Sequence, residues 1–197
     1  NEAAHIEAAM RTLLALDYPT LEIIAVNDRS TDKTGPLLDG LATDGNNLRV
    51  IHLDTLPEGW LGKNHALWLG AQQANNDVLL FTDADIHMRP DTLKRAIALM
   101  QQDGVDFLTL GPRMVARTAG LEVMLGMAQF VLSLMLKPWR LANPRSVFHV
   151  GIGAFMLITR KAYDGVGTHE AISLRPDDDL KLARLIKRHG YKALFAT

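Results

Sequence analysis

The chain has 197 residues, enough for one α/β domain with a sizeable core, and its 48% hydrophobic and 22% charged content excludes a disordered protein. Its 21 basic and 22 acidic residues nearly cancel, so no polycationic surface points to a nucleic-acid partner. With no cysteine, disulfide frameworks, thiolate metal sites and thiol nucleophiles are excluded.

The opening segment sets Ile6, Ala9, Met10, Leu13 and Leu14 on one helical face. Residues 21–26 (LEIIAV) form a short, β-branched apolar run typical of a buried strand. Ser30 and Thr31 offer caps to a helix closing near Gly40, and 48–53 (LRVIHL) is the next strand. A helix is expected over 64–74, a strand over 77–83, and a helix from Pro90 to a C-terminal glycine at Gly104. Residues 106–112 are again strand-like. Strand and helix alternate every roughly 25 residues, the rhythm of a parallel sheet with crossover helices.

The second half is less regular. Residues 121–136 are apolar apart from Glu122, Gln129 and Ser133, and are short of the ~20 residues that span a bilayer. The favoured reading is a helix packed into the core, with Met114, Met124, Met127 and Met135 filling gaps there. The other is an interfacial helix, because Lys137, Trp139 and Arg140 follow at once. Strands at 154–159 and 191–196 flank a helix over 177–189.

Three acidic clusters stand at strand ends or helix starts, where open α/β sheets hold ligands. In VNDRSTD (26–32), Asp28 and Asp32 suit a ligand's donors or a simple turn and helix cap. In FTDADIH (81–87), Asp83 and Asp85 are two apart, so an extended backbone aims both carboxylates to one side. Hard oxygens of this kind suit Mg²⁺ or Mn²⁺ shared with a diphosphate. In RPDDDL (175–180), three consecutive carboxylates open a helix, more than dipole compensation asks for.

NEA (1–3), VNDRSTD, FTDADI and PDDDLKLARLIKRHGYKA, in that order, resemble the motifs of family 2 glycosyltransferases with the GT-A fold. GWLGKNHALWLGA (59–71) is similar to the subgroup linked to hopanoid and carotenoid biosynthesis. The resemblance implies an α/β fold with a mostly parallel central sheet flanked by helices, its first strand lying ahead of NEA. It implies one catalytic domain over 1–197, cut from a longer protein on the cytoplasmic side of a bacterial inner membrane. The implied activity is inverting transfer from a nucleotide-sugar, a UDP-sugar favoured, to a lipid or saccharide hydroxyl. By position, Asp28 reads the uracil and Glu2 lies near the nucleoside. Lys63 faces the nucleotide, Asp83 the ribose and metal, and Asp85 ligates Mg²⁺ or Mn²⁺. Asp177 aligns with the catalytic base. Asn27, Arg29 and Pro176 depart from the pattern, standing where Asp, Gly and Glu are usual. Two rival readings are a non-catalytic sugar-nucleotide or lipid-binding module and a nucleotidyltransferase.

Overall fold

Six apolar runs of four to six residues form the strands: β1 (Ile23–Asp28), β2 (Leu48–Leu53), β3 (Val78–Phe81), β4 (Phe107–Leu110), β5 (Met156–Thr159) and β6 (Ala193–Ala196). The computed structural model describes residues 1–42, 47–116 and 118–197. The helices are α1 (Ile6–Leu14), α2 (Thr34–Ala42), α3 (Gly62–Gln73), α4 (Thr92–Asp103), α5 (Ala119–Leu136), α6 (Arg160–Gly165) and α7 (Asp178–Arg188). The short α6 and two 3₁₀ turns, Pro138–Arg140 and His169–Ile172, had no periodic signal long enough to announce them.

Side chains alternate across the strands, and both faces are covered. Phe81, Phe107, Met156 and Ile158 point into one apolar cluster with Tyr163, Leu182 and Ile186; Leu108 and Leu157 point into the other, with Ile6, Met10, Leu38 and Met100. Each fully buried Leu, Ile or Phe contributes about 1.5–3 kcal/mol of transfer free energy. The α1 face read from spacing is the buried one: Ile6, Ala9, Met10 and Leu13. Gly104 closes α4 at φ 57°, the left-handed position expected of it.

The strands are mostly parallel, as expected, with β5 as the exception. β1 pairs in parallel with β2, and β4 with β6, but β5 lies antiparallel between β3 and β4. The chain reaches β5 after the α5 excursion, not through a single crossover helix, so the handedness rule that enforces parallel neighbours does not apply. Among the described residues β1 and β3 share no ladder. The facing edges of these two strands, with apolar side chains such as Ile24, Val26, Leu79 and Leu80, border a gap of about 800 Å³. The gap has the lining of a strand position in the sheet, and the polar residues described below stand at its end.

A correction concerns α5. None of its residues is buried, and Met114, Met124, Met127 and Met135 are 52% to 69% exposed. The methionines therefore fill no core gap. A long apolar stretch has the same composition in a protein core and against lipid, so sequence alone did not distinguish the two.

Candidate active site

The first acidic cluster is tied to the chain's opening residues. Glu2 N–H donates to Thr34 Oγ1 at 2.8 Å, Ala3 N–H to Asp32 Oδ2 at 3.1 Å, and Thr31 N–H to Asn1 Oδ1 at 2.8 Å. Asp32 also accepts from the Thr34 hydroxyl and amide, which holds its carboxyl down at about 2. Asp32 thus caps and fastens, as its turn reading predicts. Asp28, ending β1, faces Arg29 through two bonds of 2.7 and 3.0 Å, and that contact lowers its pKa. Arg29 has φ 52°, a conformation glycine adopts more readily.

The start of α3 closes over Asp28. A Cβ on Gly62 would lie 2.3 Å from Asp28 Oδ2, so only glycine permits this approach. One residue on, Lys63 Nζ sits 3.0 Å from Asp83 Oδ1 and 3.5 Å from Asp178 Oδ1. Burial alone would lower the lysine pKa, but Asp178, Asp83 and Asp179 hold it above its ordinary value. Lys63 is therefore a fixed cation at neutral pH.

Asp83 follows β3, where Thr82 Oγ1 donates to Ala154 O at 2.8 Å and so joins this strand end to the segment before β5. Gly153 in that segment lets its neighbours approach: a Cβ there would lie 3.1 Å from Asp83 Oδ2 and 3.2 Å from Lys63 Nζ. Gly151 packs on α7 more closely still, a Cβ falling 2.1 Å from the Asp179 carbonyl oxygen. Gly153 N–H donates to Asp179 Oδ2 at 3.1 Å. Both glycines are close-approach positions.

Within the acidic triplet the three carboxylates part company. Asp177 is the residue before α7; desolvation alone would raise its pKa, but a backbone hydrogen bond and Lys181 Nζ and Arg175 Nε, each 3.3 Å away, together lower it. Asp178 is 2% exposed, and its Oδ2 has no partner. Burial, with Asp179 nearby, raises its pKa although Lys63 opposes the shift. Asp178 joins Lys63 and Asp83; Asp177 faces its own two cations. The signal that separates them is the residue at which α7 begins, and the sequence reading began it one residue early.

Glu2, Asp28, Lys63 and Asp83 all line the gap between β1 and β3. Asp85 and the three carboxylates Asp177, Asp178 and Asp179 do not line it, and Asp85 is exposed. Asp83 and Asp85 supply two hard carboxylates with no third His, Cys, Asp or Glu gathered around them among the described residues. That donor set fits Mg²⁺ or Mn²⁺, which keep several coordination positions for water and phosphate oxygens. Asn64, which sequence reasoning passed over, is buried; its Nδ2 donates to the carbonyls of Ile172, Ser173 and Arg175 at 2.7, 3.1 and 2.9 Å. One amide thereby sets Lys63 against the segment leading into α7. His169 is buried on Tyr163 Oη at 2.7 Å, and burial pushes its pKa down to about 3.

An α/β sheet with acidic residues and a lysine at its strand ends is the GT-A-like fold of nucleotide-sugar transferases, shared over the full chain with solved members of that class. Residues 1–167 match Glycosyl transferase family 2, and the chain belongs to that family. It is similar to the β-monoglucosyldiacylglycerol synthase of Nostoc sp., at 25% identity over 197 residues, 99% of this chain and 41% of that relative. Among solved structures it resembles a mannosyltransferase from Pyrobaculum calidifontis in complex with GDP-Man and Mn²⁺, with TM-score 0.72 and 25% identity over 99% of this chain and 51% of that one. It also resembles S. aureus TarS 1-349 in complex with UDP-GlcNAc, with TM-score 0.65 and 20% identity over 97% of this chain and 52% of that one; this second likeness bears on the fold alone. The chain thus spans about half, or less, of each of these three proteins.

Proposed function

We propose that this chain is the donor-binding and catalytic core of an inverting glycosyltransferase that moves a sugar from a nucleotide-sugar, with a UDP-sugar as the favoured donor, to an acceptor hydroxyl. The observation that carries this reading is Lys63, held between Asp83 and Asp178 one residue after the glycine that closes on Asp28. Asp28 is the candidate reader of the pyrimidine, with Glu2 beside the nucleoside. Lys63 offsets negative charge gathering on the departing diphosphate, an electrostatic contribution largest in a site from which water is excluded. Asp83 and Asp85 would hold Mg²⁺ or Mn²⁺, which when bound supplies further positive charge to the diphosphate.

Transfer is a single displacement. The acceptor oxygen bonds to the anomeric carbon as the bond from that carbon to the diphosphate oxygen breaks, and the bonding pair leaves with the diphosphate. The hydroxyl proton passes to a carboxylate of the triplet. The family resemblance implies Asp177 as that base; the geometry favours Asp178, which shares Lys63 with Asp83 and keeps one oxygen unpartnered. For the acceptor, the GWLGKNHALWLGA motif and the lipid product in the name of the Nostoc relative support a lipid hydroxyl, met at the cytoplasmic face of a bacterial inner membrane.

Thermal unfolding with Mn²⁺ and UDP, GDP or dTDP tests the donor. UDP at about 100 times its Kd adds ~2.7 kcal/mol to stability and raises Tm. A shift with GDP or dTDP but not UDP refutes the pyrimidine assignment to Asp28.

A further inference from the structure

Helix α5 is apolar, exposed and sided. Over Ala119–Arg140 the mean hydropathy is 1.7 and none of the segment is buried. Glu122, Gly126, Gln129 and Ser133 recur at i, i+4, i+7 and i+11, one line along the helix at about 100° per residue. The less exposed residues, Leu125, Ser133 and Leu136, fall on that same side, and Leu136 packs on the core. The opposite side, with Met124, Met127, Val131 and Leu134 at 50% to 66% exposure, turns away from the protein.

The charge beside this face has one sign. Lys137 and Arg140 both lie over the Phe148 ring, at 4.7 and 5.5 Å, and Trp139 between them is 60% exposed. Among the described residues neither cation, nor Arg145 shortly after, has an acidic partner within salt-bridge distance. The turn is also rigidly mounted: Leu141 is buried, and Lys187 of α7 donates to the carbonyls of Arg140, Asn143 and Phe148 at 3.4, 3.0 and 2.8 Å.

We propose that α5 and the basic turn after it dock the protein on an anionic lipid bilayer. The Met124–Leu134 side enters the acyl region, Trp139 sits at headgroup depth, and Lys137 and Arg140 meet lipid phosphates. A wide apolar face with a narrow polar stripe lies in the interface plane, and unpaired cations next to an exposed indole match headgroup chemistry. Because Lys187 fastens this turn to the helix that carries Asp178, docking holds the acidic triplet at a fixed height above the lipid surface. The inference rests on the proposed function only for that consequence; the docking itself does not depend on sugar chemistry.

The absence of cysteine permits single-site labelling of the whole chain. Met127→Cys and Gln129→Cys, each carrying an environment-sensitive fluorophore, are mixed with phosphatidylcholine vesicles with or without phosphatidylglycerol. The label at 127 blue-shifts and is quenched by acyl-chain probes, the label at 129 much less, and binding is tighter to the anionic vesicles. Lys137→Gln and Arg140→Gln each weaken anionic binding by about five-fold and leave binding to neutral vesicles unchanged. Absence of vesicle binding overturns the proposal. So does a shift at 127 that grows with protein concentration without lipid, which assigns the face to a second copy, or equal quenching at 127 and 129. A UDP-induced Tm shift read in parallel separates failure of docking from failure of the donor site.

Discussion

Replacing Asp178 by Asn tests the site most directly, because activity and stability should move in opposite senses. The substitution keeps the shape and removes one buried negative charge beside Lys63. If Asp178 takes the acceptor's proton, kcat falls by ~10²-fold or more, about 2.7 kcal/mol of transition-state stabilisation. Nucleotide affinity stays close to wild type, since Asp28 and Asp83 are untouched. Stability follows the proton. The folded-state pKa of Asp178 is raised, so its ionised form is disfavoured by folding at neutral pH and the penalty disappears as pH falls and the group protonates. Asp178→Asn should therefore be no less stable than wild type at pH 7, and wild type should gain on the mutant as pH drops through the carboxylate range. Asp177→Asn serves as the control. It breaks two surface ion pairs and should retain activity within a few-fold. Donor hydrolysis, with water as the acceptor and UDP release as the readout, gives kcat for all three proteins; differential scanning fluorimetry across pH gives the stabilities. An active Asp178→Asn beside a dead Asp177→Asn refutes the reasoning and returns the base to Asp177.

Asp85→Asn should abolish Mn²⁺-dependent UDP binding in calorimetry and leave Tm without metal unchanged, because Asp85 is exposed. Gly62→Ala forces a methyl against Asp28 and Arg29, so UDP affinity should drop by about ten-fold or more while far-ultraviolet circular dichroism is preserved. His169 is neutral when folded, with its pKa lowered to about 3 from 6.5. It contributes stability that is complete above pH 6.5 and fades as pH falls toward 3, at up to ~1.4 kcal/mol per pH unit. His169→Gln should flatten the fall in Tm across that window, and equal slopes for mutant and wild type would remove His169 as its source.

Much of this was legible because the strands are short, β-branched and bounded, and because Asp28 and Asp83 follow them directly. A carboxylate just past a buried strand has few places to go. The triplet was harder, since consecutive residues at a helix start point about 100° apart and a one-residue error in the start exchanges Asp177 for Asp178. The direction of β5 was hidden because an apolar run of four residues reads the same both ways. Asn64 carried no signal at all. A buried amide matters through the carbonyls it meets more than 100 residues later, and nothing adjacent announces them.

That amide has a consequence for engineering. With two hydrogens shared among three carbonyls, Asn64 makes the loop before α7 and the first turn of α3 a single cassette. Aspartate there would set its carboxylate against three oxygens, and leucine would remove the Asn64 donor from all three, leaving the Ile172 and Ser173 carbonyls only their bonds from Arg175 N–H and Leu61 N–H. Residues 168–179 thus cannot be exchanged alone without disturbing the start of α3. A graft that leaves residues 61–64 behind should misalign Lys63 even when every imported residue is correct, so chimeras should be cut on either side of both segments together.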